Sequence, residues 1–127
     1  MDKKMIIGIA VLLTLLVLGV FTMMCMERIH SDLSRQVAEA ARLALAGQGE
    51  KAAFLAKDAG KRWEQTYGFT AAVADHSPMD EIDGLFREAE IYGEAGELPN
   101  LAACCARLSF ALKAMYDAHS FHLRNIL

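Results

Sequence analysis

The hydrophobic positions divide the chain into two unlike parts. Residues 5–26 carry no charge and are apolar on every helical face. From residue 27 onward, apolar side chains instead recur every three or four positions, which is typical of helices that bury one face. No segment alternates between apolar and polar residues as a strand does. The pattern predicts an all-α protein, with one N-terminal transmembrane helix followed by a small helical bundle.

The uncharged segment has the length of a membrane span. A helix over residues 5–26 is roughly 33 Å long, and a hydrocarbon core is about 30 Å thick. A cleaved signal peptide is the alternative, because Lys3 and Lys4 precede the segment. The apolar run is longer than a usual signal core, however, and it has no small-x-small cleavage site before Cys25. An uncleaved anchor in the lipid bilayer is therefore favoured.

The basic residues indicate an orientation. Lys3 and Lys4 lie directly against the membrane segment, which favours a cytoplasmic N-terminus. We therefore expect a single-pass protein of the cell membrane, with a short basic cytoplasmic tail at 1–4, a transmembrane helix at 5–26 and an extracytoplasmic helical domain at 27–127.

Beyond the membrane segment, the spacing predicts four helices. The first continues from the membrane helix and ends at Gly47-Gln48-Gly49, a helix-terminating sequence. The second begins near Glu50, and Gly60 and Gly68 are expected to weaken or kink it. The positions predicted to face the core are Ile29, Leu33, Val37, Ala40 or Ala41, Ala44, Leu55, Ala59, Trp63, Tyr67, Thr70 or Ala71, Ala74, Ile82, Leu85, Phe86, Ala89, Leu101, Cys105 or Cys104, Leu108, Leu112, Met115 and His119.

Local sequence signals place the remaining boundaries. In Ser77-Pro78-Met79-Asp80, a capping Ser precedes a Pro at the first helical position, so the third helix should begin there. The last helix should run from Leu98-Pro99-Asn100 to about Asn125. The segment 46–50 resembles the segment 95–99, which follows 49 residues later, and each is typical of the bend in an αα-hairpin. Two αα-hairpins are therefore expected.

Charge and cysteine content narrow the class of protein. The formal net charge is −3, and eight acids lie between Asp75 and Glu97 with Arg87 as their only basic neighbour, which argues against nucleic-acid binding. This acidic stretch is expected to be a solvated face; the alternatives are a docking surface for a basic partner and a weak cation site. Cys25, Cys104 and Cys105 do not form a disulfide framework, and the adjacent pair is expected in the core.

Candidate chemistry is sparse, and neither a cofactor nor catalysis is expected. His119 and His122 share a helical face, but no CxxC or HExxH supplies a complete zinc ligand set. Asp75-His76-Ser77 are neighbours and cannot adopt triad geometry. A metal site is a minor alternative, and its candidate ligands are His76, Asp80, Asp83, His119 and His122.

The chain resembles the domain-of-unknown-function four-three-six-three family. The residues that carry the resemblance are Lys3-Lys4, Trp63, Asp75-His76-Ser77 with Pro78, Asp80-Glu81-Ile82-Asp83, and Asn125-Ile126-Leu127. The resemblance implies a small membrane-anchored protein of Gram-positive bacteria. It does not imply any catalytic residue. His76 and the Asn125-Ile126 tail are hypothesised to pack together as a structural latch. The Cys pair and the abundant Ala and Met depart from the family pattern.

Two functions follow as hypotheses. The favoured one is an interaction or regulatory module that binds another protein of the cell envelope. The alternative is a cation- or pH-responsive sensor that uses His76, Asp80, Asp83 and either His119 or His122.

Overall fold

The chain is almost entirely helical. The computed structural model describes residues 2–71 and 76–126, with side chains described in those ranges except at positions 26, 27, 30, 67–71, 76–78, 116 and 118–126. These residues form four α-helices and no strand: α1 (Lys3–Leu45), α2 (Gly49–Ala71), α3 (His76–Ala95) and α4 (Leu98–Ile126). The predicted all-α fold is confirmed.

The helices form a bundle of two hairpins. The first hairpin consists of α1 and α2, and the second of α3 and α4; α1 also packs against α4, and α2 against α3. The helices α2 and α4 also contact each other, whereas the described parts of α1 and α3 do not and lie diagonally apart. Between α1 and α4, the Ser34 hydroxyl lies 3.0 Å from the Ser109 carbonyl oxygen and donates to it.

The helix α1 belongs to both parts of the molecule. It is uninterrupted from Lys3 to Leu45, which corresponds to roughly 64 Å. Its segment Lys3–Cys25 has a mean hydropathy of 2.7 and is long and apolar enough to cross a membrane. All side chains of that segment are exposed except Thr22, which is half-buried. The remainder of α1 contributes one buried stripe to the bundle.

The two hairpins turn in the same way. Gly47 and Gly96 have φ values of 80° and 70°, a backbone conformation that side chains with a Cβ avoid. The residue after each glycine donates its amide to a carbonyl five positions back, from Gln48 to Leu43 at 2.9 Å and from Glu97 to Tyr92 at 3.0 Å. Both turns are therefore Schellman motifs, and the sequence repeat is also a structural one.

The core lies between the four helices. Most of the predicted core positions are buried, and both Cys104 and Cys105 lie among them. The helix α2 differs from the prediction, because Ala52 and Ala56 are buried while Leu55 is only half-buried. Alanine occurs on several faces of α2, so its hydrophobic pattern does not define the buried face as clearly as a leucine stripe would.

Two further predictions change in detail. The helix α3 begins at His76 rather than at Pro78, so Ser77 lies within the helix instead of preceding it. Pro78 is the third residue, still within the first turn where no intrahelical amide bond is lost. Gly60 does not interrupt α2. A Cβ at Gly60 would lie 3.4 Å from the Phe86 ring of α3, which is an ordinary van der Waals contact.

Candidate interaction surfaces

Trp63 joins the two hairpins. Its side chain is fully buried, and its ring stacks on Phe86 of α3, with 6.2 Å between centroids and 29° between planes. The two rings form the floor of a cleft of about 170 Å³ between α2 and α3. The charged residues that line this cleft are Lys57, Lys61, Glu64, Asp83, Arg87 and Glu90. Because they carry both signs, the cleft does not select an anionic or a cationic ligand by net charge.

The candidate metal ligands are not brought together where the structure describes them. Asp80 is exposed, and Asp83 accepts a hydrogen bond of 2.8 Å from Arg87 in an i,i+4 ion pair. No group of three His, Cys, Asp or Glu side chains suited to a metal ion occurs among the described residues. Asp75 and the side chains of His76, His119 and His122 lie outside the described residues, so the sensor hypothesis stays a prediction.

The adjacent cysteines are part of the core. The Cys104 thiol donates a hydrogen bond of 3.1 Å to the Leu85 carbonyl of α3, which links the two helices of the second hairpin. Burial raises the pKa of the Cys104 thiol, and burial raises the pKa of Cys105 to about 12. Since the thiolate is the nucleophilic form, both groups are neutral and weakly reactive at physiological pH.

A polar cluster links the helices of the first hairpin. The Gln36 amide nitrogen donates to the Asp58 carboxylate at 2.8 Å and to the Leu55 carbonyl at 3.0 Å. Its amide oxygen accepts a hydrogen bond of 2.7 Å from the Arg62 guanidinium. All three side chains are half-buried. This cluster was not predicted from the sequence. The signal in the sequence was Gln36 beside the buried stripe of α1, with Asp58 and Arg62 one turn apart on α2.

Among the described residues of the bundle, a first exposed apolar surface lies on α4. It is termed the Phe110 face and comprises the exposed side chains Ala103, Ala106, Phe110 and Ala114, whose spacing places them on one side of the helix. Phe110 is 76% exposed. One turn before it, Arg107 forms an ion pair of 3.1 Å with Glu88 of α3, so the acidic surface of α3 borders this face.

The second apolar surface lies between α1 and α2, next to the first turn. It is termed the Phe54 groove and is a depression of about 360 Å³ lined by Leu43, Glu50, Lys51, Phe54 and Leu55. Phe54 is 70% exposed. Glu50 and Lys51 supply one charge of each sign at its edge. Neither apolar surface was predicted, because the helical pattern alone does not say which apolar side chains lack a neighbour.

Comparison with known proteins identifies the family. Residues 20–126 match the profile of a family described as a domain of unknown function, DUF4363. The chain belongs to the DUF4363 family. The resemblance inferred from the sequence is thereby confirmed. Neither the curated proteins nor the solved structures yielded a match to this chain.

The residues that suggested DUF4363 have different environments. Trp63 and Ile82 are fully buried, Asp80 is exposed, and Asp83 pairs with Arg87. Asp75, and the side chains of Ser77, Pro78, Asn125 and Ile126, lie outside the described residues, as does the hypothesised latch between His76 and the C-terminal tail. In the described part of this DUF4363 chain, the motif residues therefore contribute to the core and to one surface ion pair.

Proposed function

We propose that this DUF4363 protein is a non-catalytic, membrane-anchored interaction module whose bundle binds another protein of the cell envelope. The observation that carries the proposal is the Phe110 face, where a large aromatic side chain lies exposed among alanines on α4, flanked by the charged side chains of Arg107 and Lys113. Exposed aromatic residues in such settings are frequent anchors of protein interfaces.

Membrane anchoring is supported by the N-terminal part of α1. Its side chains from Lys3 to Phe21 are exposed, although nearly all of them are apolar. The Thr14 hydroxyl donates a hydrogen bond of 2.8 Å to the Ala10 carbonyl, so this polar group is satisfied within the helix, as a hydrocarbon environment requires. A lipid bilayer is the environment in which this surface is stable.

The continuity of α1 gives the bundle a defined orientation. No Pro or Gly and no break in the helix separates the apolar segment from the bundle. The long axis of the bundle therefore continues the axis of the span, and the Phe110 face is directed sideways. A partner held in the same membrane can approach that face laterally.

The chemistry of the partner follows from the border of the Phe110 face. Glu81 is exposed on α3, and Glu88 pairs with Arg107 beside Phe110. Carboxylates border the apolar centre on the α3 side, whereas Arg107 and Lys113 flank Phe110 on α4 itself. A partner segment that joins apolar residues to basic residues on its α3 side fits this arrangement. In this proposal, the acidic residues of α3 form a docking surface for a basic partner.

A photo-crosslinking experiment tests this function. The full chain, expressed in its native cell, carries benzoylphenylalanine in place of Phe110, and a matched protein carries it in place of Glu94 on the exposed surface of α3. Irradiation of intact cells is expected to give, from position 110 only, an adduct with one distinct envelope protein. The charge-reversal variant Glu81→Lys should reduce its yield, because it repels a basic partner.

Two results would contradict the proposal. One is the absence of any adduct from position 110 under all growth conditions in which the protein is made. The other is an equal yield of the same adduct from positions 110 and 94, which would indicate proximity without a specific interface.

A further inference from the structure

We infer that the Phe54 groove is the contact surface for a second copy of this chain, so that the protein forms a parallel dimer in the membrane. The inference rests on the proposed membrane anchoring, but it does not depend on the Phe110 face or its partner.

The groove has the composition of a two-fold interface. Its walls and floor are apolar, from Leu43, Phe54 and Leu55, and its two charged residues, Glu50 and Lys51, are adjacent in sequence and opposite in sign. In a two-fold dimer, residue i of one copy meets residue j of the other, and j meets i. Rotation of one copy onto the other can therefore pair each Glu50 with the Lys51 of its counterpart, around a shared apolar centre.

The position of the groove agrees with membrane anchoring of both copies. The groove lies on the side of the bundle, between α1 and α2, and α1 continues directly into the apolar segment. A two-fold axis parallel to α1 brings two such sides together and leaves both spans parallel in one bilayer. Confinement to the same membrane raises the effective concentration, so a small interface can suffice.

Cys25 lies on the same side of α1 as the groove. It is 18 residues before Leu43, which corresponds to five complete helical turns, so both side chains leave α1 in the same direction. Cys25 is exposed, whereas Cys104 and Cys105 are buried. In the inferred dimer the two Cys25 thiols face each other at the membrane-proximal end of the contact, and they report on it without any substitution.

The first test measures self-association of the full chain in detergent micelles by sedimentation. Phe54→Ser is expected to weaken dimerisation at least tenfold, because it removes the apolar centre. Phe110→Ser is the matched control, since it removes an equally exposed aromatic side chain from the opposite side of the bundle, and it should leave the dimer unchanged. A monomeric native chain, or a dimer sensitive to Phe110→Ser and insensitive to Phe54→Ser, would overturn the inference.

The second test uses charge reversal at the groove. Lys51→Glu places like charges opposite each other and should weaken the dimer. The double variant Glu50→Lys with Lys51→Glu restores opposite charges and should recover the native affinity. Failure of the double variant to recover, when the single variant weakens the dimer, would contradict the two-fold pairing.

The third test uses Cys25 in lipid vesicles. A short bis-maleimide linker should join two copies through Cys25, and Phe54→Ser should strongly reduce the product, whereas Phe110→Ser should not. If cross-linking is equally efficient in the Phe54→Ser variant, the two copies contact each other through their membrane spans alone, and the inference that the groove is the interface is wrong. Dissociation of the dimer in the Phe54→Ser variant would support the groove as the dimer interface. A photo-cross-link from position 110 to a different protein would separately support the Phe110 face as the partner site.

Discussion

The two hairpins have the same turn but are stabilised by different side chains. Between α1 and α2 the buried residues are mostly alanines, and a half-buried cluster of Gln36, Asp58 and Arg62 supplies hydrogen bonds. Between α3 and α4 the buried residues are larger; the buried polar link is the Cys104 thiol on the Leu85 carbonyl, and the Arg107–Glu88 ion pair adds an exposed one. The first hairpin is thus stabilised by small buried alanines together with side-chain hydrogen bonds. The second hairpin has the same turn but is stabilised mainly by the burial of larger apolar side chains.

The strongest test of this comparison removes the side chain that joins the halves. Trp63→Ala deletes a fully buried ring that stacks on Phe86 across the hairpins, and truncations of buried Trp cost about 3–5 kcal/mol. Thermal unfolding of the full chain in detergent, followed by circular dichroism, should show a large loss of stability. Ile91→Ala, at an exposed side chain of α3 outside both proposed interfaces, should change stability little. Equal effects of the two changes would mean that Trp63 does not join the hairpins.

The polar cluster of the first hairpin gives the next largest effect. Gln36→Ala leaves Asp58 and Arg62 half-buried without their shared partner, which costs about 1–3 kcal/mol. Gln65, an exposed glutamine of α2, provides the control, and Gln65→Ala should be nearly neutral. If Gln36→Ala is as mild as Gln65→Ala, hydrogen bonds do not stabilise the first hairpin and its alanine packing is sufficient.

The shared turn predicts equal effects in the two halves. Gly47→Ala and Gly96→Ala each force a Cβ into the left-handed region, at about 1–2 kcal/mol. The two unfolding midpoints should fall by similar amounts. A clear difference between the variants would show that the repeated sequence does not make the turns energetically equivalent.

The buried thiols of the second hairpin predict a small effect of alkaline pH. The pKa of Cys105 is raised to about 12 by burial, so the folded state retains a proton that the unfolded state loses near its ordinary pKa. The contribution of this thiol to the free energy of unfolding is fully present below about pH 9 and is progressively lost as pH rises towards 12. Near pH 10 the free energy of unfolding is lower by about 1 kcal/mol. Cys105→Ala should have a shallower decline than the native chain between pH 8 and 10. An unchanged slope would mean that this thiol does not contribute.

The sequence predicted features that depend on strong local signals. Gly47 and Gly96 located both turns, and the stripes of α1, α3 and α4 located most of the core, because Leu, Ile, Val and Phe recur on one face. The buried side of α2 was less well predicted, since its pattern consists largely of alanine. The Gln36 cluster and the Phe54 groove could not be predicted, because both depend on how α1 and α2 pack side by side, which helical spacing does not specify.

The central claim is that an uninterrupted α1 holds the bundle on the membrane. The direct measurement is the intact mass of the protein in native membranes after an alkaline carbonate wash. The expected result is a membrane-bound chain whose mass and peptides include the segment Lys3–Cys25. A shorter protein that begins after Cys25, released into the wash, would contradict it.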